Sequence, residues 1–329
     1  MDSLRDLLSS AQGGQLLKKA NEKVRELAAH PLIVKLRAKY PELDEQTIKL
    51  NMNKLHQYVT EYGNCTRCPG LDRCPNDLEG HYTLLTVEAD GERTRVYDQK
   101  TACKKFVARQ SQQAIRSRIR SFYVDERALS QGYSSIEILD KDPDREPAVN
   151  QVIDYILRTR EEGLQKTGLY AAGGFGTGKT FLMCYMLYEL AKDGYTGAIV
   201  YMPDFAEDLK SMFQEPQKLK ETLDVLKETD LLVFDDIGAE NLNPWLRDHV
   251  MGTILNYRMN RKPTFFTSNH DLDALEKHFS FTSKDGDEEY KGKRIMDRIR
   301  PFVEMVWVEG YNKRGTSPAD SLRDAEASS

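Results

Sequence analysis

Hydrophobic positions recur at helical spacing through the first part of the chain. Leu16, Leu17, Ala20, Val24, Leu27 and Ala28 form one stripe among Lys, Glu and Arg, and Ile48, Met52, Leu55, Tyr58, Val59 and Tyr62 form another after Pro41 and Asp44. Steps of three and four residues place each set on one helical face, so residues 1 to about 62 predict helices lining a small core. The period then stops. Residues 64–75 are rich in turn formers, and Tyr82–Glu88 with Glu92–Tyr97 predict the arms of a hairpin around Asp90-Gly91. From Lys104 to Ser134 the chain is polar and locally basic, with Phe106, Ile115, Ile119 and Phe122 interleaved, and reads as a connector.

Beyond the connector two periods alternate. A helix is expected from Ala148 to Arg160 and another from Phe181 to Lys192, where Gly194 follows as a stop signal. Leu169–Ala172, Ala198–Met202, Leu231–Asp235, Thr264–Ser268 and Met305–Val308 are short apolar runs without inside/outside alternation. Such runs separated by helices predict an α/β domain whose mainly parallel sheet is covered on both faces.

Length and charge narrow this only a little. The 329 residues leave room for two domains, and 47 basic against 52 acidic residues give a net charge of −5, so any nucleic-acid surface must be local. The mean hydropathy is −0.61. No run reaches membrane-spanning length and the first residues lack an apolar signal core, so the expectation is a cytoplasmic chain with no membrane partner.

The chemistry concentrates after the first of the apolar runs. Gly173-Gly174-Phe175-Gly176-Thr177-Gly178-Lys179-Thr180 fits the phosphate-loop pattern G-x-x-x-x-G-K-[ST], with a strand before it and a helix after it. Glycines let backbone N–H groups close around polyphosphate, and the helix start turns its positive dipole end toward the anion. Lys179 is expected to reach the β- and γ-phosphates and Thr180 to give its hydroxyl to Mg²⁺. Leu231-Leu232-Val233-Phe234-Asp235-Asp236 ends in paired carboxylates at the edge where parallel sheets present ligands, so Asp235 is expected on Mg²⁺ and Asp236 as the acid that polarises attacking water. The run Thr264–Ser268 ends at Asn269, which could orient that water or simply start a turn. Arg294 and Arg298, four residues apart, share a helical face and read either as surface charges or as a finger for a neighbouring subunit's nucleotide.

Cysteine usage adds a second centre. Cys65, Cys68, Cys74 and Cys103 fall within about forty residues, whereas Cys184 sits alone among apolar neighbours as a structural thiol. Cys65-x-x-Cys68 forms half of a tetrahedral site for a soft dication, and Cys74, His81 and Cys103 compete for the other half. A hairpin that returns Cys103 to the knuckle favours Cys65, Cys68, His81 and Cys103 around a structural Zn²⁺, with Cys74 as the alternative ligand.

In the order Gly173–Thr180, Asp235-Asp236-Ile237-Gly238-Ala239-Glu240, Thr267-Ser268-Asn269 and Arg294-Ile295-Met296-Asp297-Arg298, the chain resembles the AAA+ ATPases of the bacterial replicative helicase loaders. With a cysteine-rich region ahead of these motifs, it most resembles the DnaI-type primosomal loaders of Gram-positive bacteria. The resemblance implies Asn269 as sensor 1, Arg298 as the arginine finger and Arg314 as a weak sensor-2 match. Asp236 stands where many AAA+ proteins carry Glu, which fits slow, switch-like hydrolysis.

The expected architecture is an AAA+ P-loop ATPase domain with a parallel sheet, preceded by a small helical zinc-binding domain. The boundaries are 1–110 for the zinc-binding, helicase-interaction domain, 111–135 for a linker, 136–316 for the ATPase domain and 317–329 for a polar tail. The implied function is ATP-dependent loading of the hexameric replicative helicase during primosome assembly. ATP, Mg²⁺ and Zn²⁺ are the expected cofactors. Single-stranded DNA and further copies of the ATPase domain are the other expected partners. A transposition-helper ATPase and a nucleotide-gated DNA-binding adaptor are the alternatives: the first would not require the zinc-binding half, and the second would scarcely hydrolyse ATP.

Overall fold

The computed structural model describes residues 11–90, 93–124, 143–282, 286–310 and 312. The chain divides into two compact units, Met1–Gln112 and Gln113–Ser329.

In the first unit four helices precede a hairpin: α1 (Ala11–Ala29), α2 (Pro31–Lys39), α3 (Glu45–Leu50) and α4 (Met52–Thr66), then β1 (His81–Asp90) and β2 (Arg93–Ala102). Helix α2 starts with proline at its first position, where the missing N–H has no intrahelical partner to lose, and α3 is capped by Asp44 Oδ1 accepting from the Thr47 N–H at 2.7 Å. Val24, Leu27, Ile33, Leu36, Leu43, Ile48 and Leu55 bury against Leu85, Val87 and Val96 of the hairpin. Val24, Leu27 and Ala28 of the first stripe and Ile48, Met52, Leu55, Tyr58 and Val59 of the second therefore share one core, while Tyr62 is exposed. The strands pair antiparallel from His81 opposite Ala102 to Asp90 opposite Arg93; β1 extends past the expected arm at both ends and β2 past its far end. Glu61 pins the hairpin to α4. Its buried carboxylate accepts the Thr83 N–H at 2.6 Å and pairs with the Lys100 ammonium.

Helix α5 (Lys104–Ser117) follows β2. The second unit is then built on a six-stranded sheet containing β3 (Ile119–Phe122), β4 (Gly168–Ala172), β5 (Gly197–Tyr201), β6 (Leu231–Asp235), β7 (Thr264–Ser268) and β10 (Val303–Trp307). The spatial order is β10-β4-β7-β6-β5-β3, with every neighbouring pair parallel. Helices α6 (Glu146–Glu162), α7 (Lys179–Lys192), α8 (Met202–Ser211) and α9 (Pro216–Glu228) lie between the earlier strands. A π-helical segment, Leu246–Met251, runs into α10 (Gly252–Arg258) before β7. After β7 come α11 (Leu272–Ser280), the short pair β8 (Phe281–Thr282) and β9 (Gly286–Asp287), and α12 (Glu289–Met296).

The absence of alternation in the strands is explained by burial on both sides. Leu169, Ala171, Ile199, Val233 and Phe265 face one core, and Tyr170, Ala172, Val200, Phe234 and Phe266 face the other. Strand β3 departs from the sequence reading, because residues 119–122 lie within the expected linker yet pair with β5, Ile119 opposite Gly197. Three of its four residues are half-buried and the fourth, Arg120, is exposed, so with Arg118 just ahead the segment carries too little apolar signal to announce an edge strand. Most of the rest of that linker, together with Arg314 and the 317–329 tail, lies outside the described residues.

Sheet order is what positions the site. Strand β7 lies between β4, which leads into the phosphate loop, and β6, which ends in the paired carboxylates. Whatever follows β7 therefore falls between the two.

Candidate nucleotide site

The phosphate loop leaves the buried strand β4 at Ala172 and becomes helix α7 at Lys179. Gly178 adopts φ +98°, a left-handed conformation that side chains resist, and a Cβ there would collide with the Arg145 guanidinium. Arg145 is itself buried just before α6 and donates from Nη1 to the Thr177 carbonyl at 3.3 Å. Nothing in the spacing around Arg145 signals this role, because the residue lies 32 positions before the Thr177 carbonyl it supports.

Lys179 Nζ donates to the Gly173 carbonyl at 2.9 Å, the Gly174 carbonyl at 2.7 Å and Asn269 Oδ1 at 2.9 Å. The other end of the Asn269 amide donates from Nδ2 to Asp236 Oδ1 at 3.2 Å. Asn269 thus joins the lysine of the loop to the acid at the end of β6.

Asp235 and Thr180 are also in direct contact. Asp235 Oδ1 accepts from Thr180 Oγ1 at 2.8 Å and from Thr267 Oγ1 at 2.7 Å. Burial pushes the Asp235 carboxyl above its ordinary range, and the two hydroxyl donors offset part of that shift. Thr267 ties the two aspartates together, since the oxygen that donates to the Asp235 carboxylate also accepts the Asp236 backbone N–H at 2.8 Å. Sequence reasoning placed Thr267 in a strand and in the Thr267-Ser268-Asn269 motif, with no contact assigned to it.

Lys179, Thr180, Asp235, Asp236 and Asn269 line one cavity of about 290 Å³ with Phe175, Gly176 and Gly178. Its chemistry suits a magnesium nucleotide. The loop provides an ammonium and backbone donors for phosphate, and a hydroxyl beside a carboxylate supplies the hard oxygens that Mg²⁺ accepts while keeping waters and phosphate as its other ligands.

Arg298 is not part of this cavity. With Arg294, Lys227, Arg261 and Asp248 it lines another, of about 470 Å³. Its Nη1 donates to the Arg294 carbonyl at 2.5 Å, while its buried Nε has no hydrogen-bond acceptor among the described residues. Arg300 is differently placed, donating to Asp273 at 2.6 Å and Glu276 at 3.1 Å on α11. The structure brings together the phosphate loop, Asp235, Asp236 and Asn269, and leaves the expected finger elsewhere on the same unit.

In the first unit the expected zinc ligands, Cys65, Cys68, His81 and Cys103, are not drawn around one point. Among the described residues no group of three or more His, Cys, Asp and Glu side chains is arranged to hold a metal ion. The sulfurs instead accept hydrogen bonds: Cys74 from the Gly80 N–H at 3.4 Å, Cys103 from the Phe106 N–H at 3.4 Å and Cys65 from Asn76 Nδ2 at 3.5 Å. The Gly80 carbonyl accepts the Cys103 N–H at 2.7 Å, which places the alternative ligand Cys74 and Cys103 on either side of one glycine. His81 is engaged by its neighbours, with Nδ1 2.9 Å from the Glu79 carbonyl and its ring 4.6 Å from that of Phe106. A backbone N–H from Gly70 draws the Cys68 thiol below its ordinary range, against the effect of burial and with help from Lys105.

Comparison with known proteins divides along the same two units. Residues 1–91 match the family described as primosomal protein DnaI N-terminus, and residues 163–318 match the IstB-like ATP binding proteins. The chain is 35% identical over 273 residues to the replicative helicase loader DnaI of Bacillus subtilis (strain 168), covering 83% of this chain and 85% of that protein. It is 25% identical over 150 residues to the replicative helicase loader DnaC of Escherichia coli (strain K12), covering 44% of this chain and 56% of the relative. A crystal structure of DnaI aligns with 34% identity and a TM-score of 0.49 over 61% of this chain and 99% of its own.

Proposed function

The chain belongs to the DnaI family of replicative helicase loaders, and we propose from that premise how its residues carry the activity. It is an ATP-dependent loader of the replicative helicase, and its second unit is an AAA+ P-loop ATPase domain with a parallel sheet. The match of residues 1–91 to the amino-terminal region of primosomal proteins weighs against the transposition-helper reading, which does not need that region.

The observation that carries the mechanism is the bridge from Lys179 through Asn269 to Asp236. Lys179 exchanges carbonyl partners for the β- and γ-phosphate oxygens of ATP, a charge-assisted contact that no other residue of the loop can make. Thr180 and Asp235 would hold Mg²⁺, which when bound would neutralise charge on the phosphates. Asp236 and Asn269 orient the attacking water. The Asp236 carboxylate is shorter than glutamate, so turnover is slow and hydrolysis serves as a switch. Arg298 supplies positive charge to the nucleotide of an adjacent copy when ATPase domains assemble on the hexameric helicase. Its separation from the phosphate-loop cavity supports action in trans.

The remaining assignments follow the division of the chain. The unit formed by residues 1 to about 110 grips the helicase and holds one structural Zn²⁺, the stretch 111–135 links, and residues 136–316 bind ATP and single-stranded DNA. The zinc assignment is supported by the donor chemistry of four cysteines and His81 around a loop with neither helix nor strand, and by N–H donors to Cys74 and Cys103 of the kind that stabilise thiolate ligands. The division is tested with two fragments, residues 1–112 and 136–329, each mixed with the replicative helicase. Capture of the helicase by the first fragment alone is the expected result, and capture by the second alone contradicts it.

A further inference from the structure

The turn that carries Asp236 is held by a buried carboxylate with no part in the chemistry above. Asp236 has φ +57°, in the left-handed region that is unfavourable for a non-glycine residue and persists only where neighbours over-determine it. Strand β7 fixes the first half of the turn. Thr267 Oγ1 accepts the Asp236 N–H, the Thr267 carbonyl accepts the Ile237 N–H at 2.9 Å, and Ser268 Oγ donates to the Ile237 carbonyl at 2.6 Å.

Glu240 fixes the second half. Its Oε2 accepts the Gly238 N–H at 2.7 Å, and its Oε1 lies 3.0 Å from His278 Nε2 on α11. The Glu240 side chain is fully shielded from solvent, so both contacts act at low dielectric, where a satisfied pair is rigid and an unsatisfied one is costly. Gly238, at φ +93°, leaves no slack: a Cβ there would lie 2.7 Å from the His270 ring, which stacks on His278 with centroids 6.4 Å apart. The acid-bearing turn is therefore clamped between β7 and α11.

We propose that Glu240 is a positioning residue for ATP hydrolysis, holding Asp236 in its left-handed conformation through the Gly238 N–H while His278 anchors the Glu240 carboxylate to α11. The inference rests on the reading of Asp236 as the acid that orients water. A turn that merely stabilised the fold would affect stability and nucleotide binding together. A positioning role separates turnover from binding, because the phosphate loop and the Asp235–Thr180 contact lie outside the clamp.

The test measures kcat for ATP hydrolysis by the full chain and Kd for a fluorescent ATP analogue in Glu240→Ala, Glu240→Gln, His278→Ala and Asp236→Asn. Glu240→Ala should lower kcat by about 10–100-fold, the range that an ångström-scale misplacement produces, with Kd within about twofold. Glu240→Gln keeps an acceptor for the Gly238 N–H and should retain kcat within about threefold. Unchanged kcat in Glu240→Ala, or a parallel loss of kcat and affinity, overturns the proposal. Should Glu240→Ala fail to fold, His278→Ala decides: a fall of about 3–10-fold in kcat at constant Kd supports the clamp, and an unchanged kcat overturns it. Asp236→Asn separates the two readings. If it retains kcat, the assignment of the acid falls and this inference with it. If it loses kcat while Glu240→Ala does not, only the positioning role falls.

Discussion

Lys179 and Asn269 are 90 residues apart in the chain, and their side chains meet at 2.9 Å, the lysine ammonium donating to the asparagine carbonyl oxygen. Because the same amide donates to Asp236, the ammonium proposed to bind phosphate and the carboxylate proposed to orient water share one support. Removing that support should affect the reaction more than the binding of its substrate.

Asn269→Ala is accordingly expected to bind ATP with Kd within about threefold of the wild type and to lose about 10²-fold in kcat, the scale seen when one positioned polar group near the reacting centre is removed. Steady-state hydrolysis alongside equilibrium nucleotide titration checks this. A loss confined to Kd would make Asn269 a binding residue only.

Asp235 carries a stability cost that can be read by pH. Its carboxyl is raised above the ordinary value by burial, so the stability associated with the protonated form is present at low pH and lost as pH rises through the folded value. Asp235→Asn removes the charge and retains an oxygen that can accept from Thr180 and Thr267. Nucleotide-free Asp235→Asn should therefore melt above the wild type by about 2–4 °C near neutral pH, the shift that about 1 kcal/mol makes in a domain of this size, with a smaller gap near about pH 4.5. Calorimetry at the two pH values checks the sign. A larger gap at the acid value would contradict it.

The zinc assignment makes a stoichiometric prediction. Protein purified without chelator should contain about one zinc per chain, and chelation should unfold the first unit while nucleotide binding by the second persists. Cys65→Ser and Cys68→Ser should each release the metal. Comparing Cys74→Ser, His81→Ala and Cys103→Ser identifies the remaining ligands, two of the three being expected to lose zinc. Elemental analysis that finds none defeats the assignment.

The role proposed for Arg298 would tie hydrolysis to assembly. Arg298→Ala should bind ATP normally and lose about 10³-fold or more in helicase-stimulated turnover, as arginine fingers do where they have been measured. Mixing it with Lys179→Ala should restore part of the activity, since an intact phosphate loop on one copy can then meet an intact finger on the next. No recovery, with normal turnover by Arg298→Ala on the helicase, would exclude this residue.

The parts of the site carried by short, continuous signals were legible in the sequence. Residues 173–180 carry a pattern whose glycines and lysine have few other uses, and Leu231–Asp235 and Thr264–Ser268 form strands with the predicted bounds. What joins those parts was not legible, because it depends on sheet order. Asn269 reaches both Lys179 and Asp236 only because β7 lies between β4 and β6, and no local pattern encodes that neighbourhood. Glu240 reads as an ordinary acid near a turn until α11 brings His278 to it, 38 positions later. Strand β3 was hidden by its basic neighbours, and the cysteine spacing left three residues competing for two places.

We propose that this chain places the replicative helicase on single-stranded DNA under control of its own nucleotide site. The direct measurement is helicase-dependent unwinding on a circular single-stranded template carrying one annealed strand, with the full chain, the hexameric helicase and ATP. Wild-type chain should support unwinding that the helicase alone does not achieve, and Lys179→Ala should reduce it to the level seen without the loader. Equal loading by Lys179→Ala and the wild type would contradict the account.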